Sequence, residues 1–109
     1  MNNQVWKPET VLNFKDSIQY AEGSIVSKTL FDKSAGSLTL FAIAEGQGIK
    51  EHESMYDATV QIIEGEASFQ VGQNIYQVKE GEGLIMPAKV PHAVLPGKAF
   101  KMLLIMIRS

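Results

Sequence analysis

Gly46-Gln47-Gly48-Ile49-Lys50-Glu51-His52, running on to Gly65, and Gly81-Glu82-Gly83-Leu84-Ile85-Met86-Pro87-Ala88-Lys89-Val90-Pro91-His92 decide how this chain reads. Each stretch opens on glycine, passes through a short apolar run and ends on a histidine, and these are the only two histidines present. Imidazole is a common metal ligand and the side chain that ordinarily titrates near neutral pH. Two imidazoles framed by two separate turn-and-strand patterns imply a common pocket. They are also fewer donors than a tight metal site needs.

Outward from these stretches, short strand-like segments alternate with glycine turns, and long amphipathic helical patterns are absent. The predicted strands are Ser24 to Phe31 and Ser37 to Ala44, parted by Asp32 to Gly36. Thr59 to Ile63 and Ala67 to Val71 follow, parted by Glu64-Gly65-Glu66. Gly72-Gln73-Asn74 reads as a hairpin turn, because Gly and Asn tolerate positive φ, and Ile75 to Val78 pairs back. Leu84 to Met86, Ala93 to Leu95 and Phe100 to Ile107 complete the set, and residues 9–20 have room for one helical turn. Many short strands with regular turns predict a sandwich or barrel.

In the last segment Phe100, Met102, Leu104 and Met106 share one face, and Lys101, Leu103, Ile105 and Ile107 share the other. Both faces are mostly apolar. One face can line a barrel; the other needs a cover, from a second subunit in a homodimer or from a terminal layer of the same chain.

Composition narrows the function classes. At 109 residues the chain is one domain's length, residues 1–109, and 45% hydrophobic residues can build a core. The formal net charge is −2 with the basic residues scattered, so no electrostatic footprint for nucleic acid exists. No cysteine is present, which excludes disulfides, thiolate metal sites and a cysteine nucleophile. The start, Met1 to Pro8, lacks an apolar signal core, and no apolar run reaches the ~20 residues of a membrane span. A cytoplasmic protein that touches neither membrane nor nucleic acid is the expectation. The Gly-x-Gly pieces at 46–48 and 81–83 open no helix, so they are weak nucleotide signals, and no nucleophile elbow occurs.

The two stretches resemble the two motifs of the cupin superfamily, small antiparallel β-barrels of jelly-roll topology. The first family motif reads Gly, five residues, His-x-His, three or four residues, Glu, six residues, Gly. Gly46, His52 and Gly65 fit it. The second reads Gly, five residues, Pro-x-Gly, two residues, His, three residues, Asn, and Gly81, Pro87 and His92 fit it. The resemblance implies an all-β cupin-like barrel. Four positions depart: Ser54 stands for the second histidine, Ala58 for the glutamate, Lys89 for the glycine and Pro96 for the asparagine. Typical metal-binding cupins use three histidines and the glutamate, so carry-over leaves this chain His52 and His92. Alanine cannot bind metal, and a serine hydroxyl is a poor ligand for a divalent ion.

Two functional readings stay open. In the first, the barrel binds a small organic ligand between the histidines and an apolar interior, with Ser54, Ala58, Met86, Met102 and Met106 as pocket residues. Methionine lines adaptable pockets, although it also fills irregular cores. In the second, a weakly held divalent ion (Zn, Ni, Fe or Mn) serves an oxygenase or isomerase, bound by His52, His92 and Asp57. Two histidines and a carboxylate form the facial arrangement of non-haem iron sites. Against this, an aspartate at a turn before a strand more often stays solvated.

Overall fold

A computed structural model describes residues 5–108. It has nine strands: β1 Ile25–Lys33, β2 Gly36–Ile43, β3 Ile49–His52, β4 Ala58–Glu64, β5 Glu66–Val71, β6 Asn74–Lys79, β7 Gly83–Met86, β8 His92–Val94 and β9 Phe100–Ile107. A single 3-10 turn at Lys15–Ser17 falls inside the stretch where one helical turn was expected. The strands form a five-stranded sheet in the order β1-β2-β9-β4-β7 and a four-stranded sheet in the order β3-β8-β5-β6. Every pairing is antiparallel.

Alternation explains how the sheets close on one another. Ala58, Val60 and Ile62 of β4, Ala67 and Phe69 of β5, and Phe100 and Met102 of β9 are buried in one inter-sheet core. Phe69 and Phe100 meet across it edge-to-face, with ring centroids 6.4 Å apart.

One predicted boundary differs, and one turn has a role that its residues do not show. The Asp32 to Gly36 break is tighter than read, since β1 runs to Lys33 and β2 starts at Gly36. Glu64-Gly65-Glu66 joins strands that do not pair, because β4 pairs with β7 and β9 while β5 pairs with β6 and β8. The chain therefore crosses from one sheet to the other there. Gly65 makes the crossing with φ +81, and a Cβ on it would stand 2.9 Å from the Ala99 carbonyl oxygen. Glycine alone meets both conditions without strain. The Gly72 turn is the expected hairpin, with Val71 opposite Asn74.

The outer face of the five-stranded sheet carries a second core of Ile18, Leu30, Leu40, Ala42 and Leu103, with Trp6, Leu12, Phe14 and Ile105 packed against it. Its cover is the chain's own N-terminal segment. Several polar attachments hold that segment. Leu30 is the bulged residue of β1, skipped in the pairing between Thr29 and Phe31, and its carbonyl accepts from the Val5 and Trp6 N–H groups at 2.8 and 3.0 Å. Lys28 Nζ donates to the Ser17 carbonyl at 3.1 Å. Buried Lys101 donates to the Lys15 carbonyl at 2.7 Å and lies 3.8 Å from the Glu64 carboxylate. Trp6 and Phe14 stack edge-to-face over this layer at 5.4 Å. Among the described residues, no helix is long and apolar enough to cross a membrane.

Candidate functional site

His52 ends β3, His92 begins β8, and the two strands pair so that these residues stand directly opposite. Gly48 permits the approach: a Cβ there would fall 2.6 Å from the Val94 carbonyl oxygen. The pairing is irregular between Ile49 and His52. Residues three apart point to opposite faces of a regular strand, yet both of these line the same cavity. The irregularity turns both inward.

The imidazole rings lie 4.4 Å apart, centroid to centroid, at an interplanar angle of 68°. His92 is buried, whereas His52 is exposed and forms the mouth. Each ring is held by the backbone two residues before it. His52 Nδ1 lies 2.9 Å from the Lys50 carbonyl oxygen, and His92 Nδ1 lies 3.1 Å from the Val90 carbonyl oxygen. A carbonyl only accepts, so each Nδ1 carries the hydrogen. In the neutral rings Nε2 is then a bare lone pair, free to accept a hydrogen bond or to ligate.

The cavity beneath the pair has a volume of about 440 Å³. Ser54, Ala58, Met86, Met102 and Met106 all line it. So do Phe41, Val60, Val94 and Leu104, whose inward direction followed from strand parity once the register was known. Glu53 also lines the cavity. β3 stops at His52, so strand parity no longer governs Glu53. The Ser54 hydroxyl accepts from the Tyr56 N–H at 3.2 Å and donates to Met106 Sδ at 3.8 Å.

Asp57 is not brought to the histidines. It directly precedes β4, whose first residue, Ala58, faces the core at 2% exposure. Alternation therefore sends Asp57 out. Its Oδ1 accepts from the Ala88 N–H at 2.8 Å, and it lies in a separate groove with Tyr56, Thr59, Ile85, Ala88 and Ile107. Its role here is to staple the 54–57 loop to the Pro87 turn. The same turn is tied by the Lys89 N–H to the Ser54 carbonyl at 2.8 Å. Lys89 adopts φ 64, a left-handed conformation that glycine takes without strain.

A cupin domain model matches residues 39–107. The chain belongs to the cupin domain family. Its two sheets are the antiparallel cupin barrel. A conserved protein of unknown function from Streptococcus pyogenes is similar at 33% identity and TM-score 0.87, over 94% of this chain and 90% of that one. A Cupin 2 conserved barrel domain protein from Leptotrichia buccalis is similar at 36% identity and TM-score 0.85, over 89% of this chain and 47% of that longer one. A cupin superfamily protein from Desulfitobacterium hafniense matches at 26% identity and TM-score 0.87, over 95% of each chain. No curated protein matches.

Many cupins hold a hard divalent ion, and the residues here do not fit one. Among the described residues, no three of histidine, cysteine, aspartate and glutamate come together as a metal set. Ala58 offers no donor, and Asp57 is engaged in the other groove.

Proposed function

We propose that this cupin binds a small, mostly apolar organic molecule bearing a hydroxyl or amino head. One observation carries the reading: two Nδ1-anchored imidazoles, 4.4 Å apart, line, with Ser54 and Glu53, a cavity whose remaining walls are apolar side chains. The volume of about 440 Å³ lies within the roughly 300–1,000 Å³ of small-molecule pockets. The head donates to the Nε2 lone pairs of His52 and His92, and the body lies among Val60, Leu104 and the methionines. The protein acts by this reading as a cytoplasmic binding or sensing module of one cupin domain, residues 1–109.

The test is calorimetry on hits from a thermal-shift screen of small alcohols, phenols and amines. His92→Phe keeps the ring volume and removes the acceptor. It is expected to weaken a true ligand by roughly 1–3 kcal/mol, the cost of an unmet buried hydrogen bond. Equal affinity in the variant would refute the assigned head site.

The reading includes a homodimer, with its interface moved from the one the sequence implied. Leu103 is covered by the chain's own N-terminal segment, but Ile107 is 63% and Ile85 59% exposed. The two share one groove beside the edge strand β7, an apolar patch that a second copy would bury. Light scattering should show a dimer that Ile107→Lys dissociates; a monomer at high concentration would count against it.

A further inference from the structure

The positions that break the cupin metal motif are occupied in a chemically consistent way. Ala58 of β4 pairs with Met86 of β7 on one side and with Met106 of β9 on the other. Directly opposed neighbours on one sheet face stand about 4.5–5.5 Å apart at Cβ. The seat of the family's carboxylate is therefore flanked by a methionine on each side, and both methionines line the histidine cavity. At the other departure, Ser54, the hydroxyl reaches Met106 Sδ at 3.8 Å. A thioether has two lone pairs, so the serine leaves one free.

Such donors select among cations in two ways. Thioether sulfur is soft and favours Cu(I) over hard or borderline divalent ions, while imidazole serves either kind. Charge points the same way. The cost of moving an ion out of water rises with the square of its charge, and a buried charge without a counter-charge is heavily penalised. The four proposed donors, two imidazoles and two thioethers, are neutral and offset none of a divalent charge, and Glu53, the carboxylate that also lines the cavity, is exposed, where water and salt screen it. A monovalent ion leaves half that charge and a quarter of that cost.

We infer that the polar end of the cavity binds a soft monovalent cation, Cu(I) or Ag(I), through the Nε2 atoms of His52 and His92 and the sulfur of Met106, with Met86 as the fourth donor. This rests on the reading that the cavity is the binding site; the cation takes the same Nε2 lone pairs as the organic head, so the two ligands exclude one another.

The experiment uses the full chain and Ag(I), which needs no reductant, followed by calorimetry and by proton–carbon spectra of methionine labelled at the methyl carbon. One Ag(I) per chain should bind, with affinity at least about tenfold above that for Zn(II) or Ni(II), and the Met86 and Met106 methyl signals should shift. Met106→Leu conserves volume and should keep the fold, which circular dichroism checks. It should weaken Ag(I) at least about tenfold, the loss that even outer-shell changes at metal sites cause. Met55→Leu, outside the cavity, should change nothing. Ala58→Glu should reverse the preference toward the divalent ions by restoring an inward carboxylate. The inference is overturned if Met106→Leu binds Ag(I) as well as the native chain, or if Zn(II) binds as tightly as Ag(I). If Ag(I) fails while organic ligands bind and His92→Phe weakens them, the soft-cation inference alone falls. If both fail, the cavity is not the site.

Discussion

The two faces of β9 make a controlled comparison, because one strand with one backbone serves two different surroundings. Its inner residues, Phe100, Met102, Leu104 and Met106, pack with the inter-sheet core, and the last three line the cavity. On the outer face Leu103 and Ile105 lie in a second core, closed by the N-terminal segment, and Lys101 reaches out to tie that segment down. The inner face is apolar around space, whereas the outer face is apolar around side chains. Here part of the inner face gives up packing for a pocket, while Phe100 still packs against Phe69 in the inter-sheet core and the outer face stays filled.

The largest expected effect separates the two faces directly. Leu→Ala in a core costs about 2–5 kcal/mol, set by the cavity it leaves. Leu103→Ala, at 4% exposure, should fall in the upper half of that range. Leu104→Ala only enlarges space that already exists and should fall at the bottom. Denaturant unfolding of both variants decides it, and equal losses would erase the distinction.

Next comes the tie between the outer face and its cover. Lys101→Met removes the donor to the Lys15 carbonyl and the partner of Glu64. It should cost about 1–3 kcal/mol, the penalty for buried groups left unmet. Hydrogen exchange should show the loss confined to residues 5–20 and their sheet contacts. Uniform loosening across both sheets would mean that the segment is not a separable cover.

On the inner side, Lys89→Gly should stabilise the chain by about 1 kcal/mol, because the left-handed turn at φ 64 strains every residue with a Cβ. Thermal unfolding should show a rise with the cavity unaltered. A fall would mean that the Lys89 side chain supports the loop in a way its exposure hides.

The smallest effect belongs to Tyr20 on the outer face. Burial against the sheet first, and then its 2.6 Å hydrogen bond to Glu64, push its hydroxyl up from the usual value of 10.0. The folded chain thus keeps a proton that the unfolded chain releases. That contribution is complete below pH 10.0 and is lost as pH rises toward the folded value. Stability measured from pH 9 to 11 should decline in the native chain and decline less in Tyr20→Phe; parallel curves would remove Tyr20 from the alkaline limb.

The barrel was legible in local pattern. Turn glycines and period-two alternation fix which residues point together within a strand, because side chains of a strand must alternate. That is enough to place Ala58 with Val60 and Ile62, and Met102 with Met106. The match of Gly46, His52, Gly81, Pro87 and His92 to the two cupin motifs located the histidine pair, since local turn geometry alone does not bring together residues forty positions apart. Three things were decided only by tertiary pairing. The first is that Glu64-Gly65-Glu66 crosses between sheets, because a turn's residues do not say which neighbour the next strand will choose. The second is the direction of Asp57, whose carboxylate could reach either side of the loop until Ala58 was buried and Ala88 offered its N–H. The third is the company of Ala58. Met86 and Met106 lie twenty-eight and forty-eight positions further along the chain, and only the register of three strands sets them on either side of it.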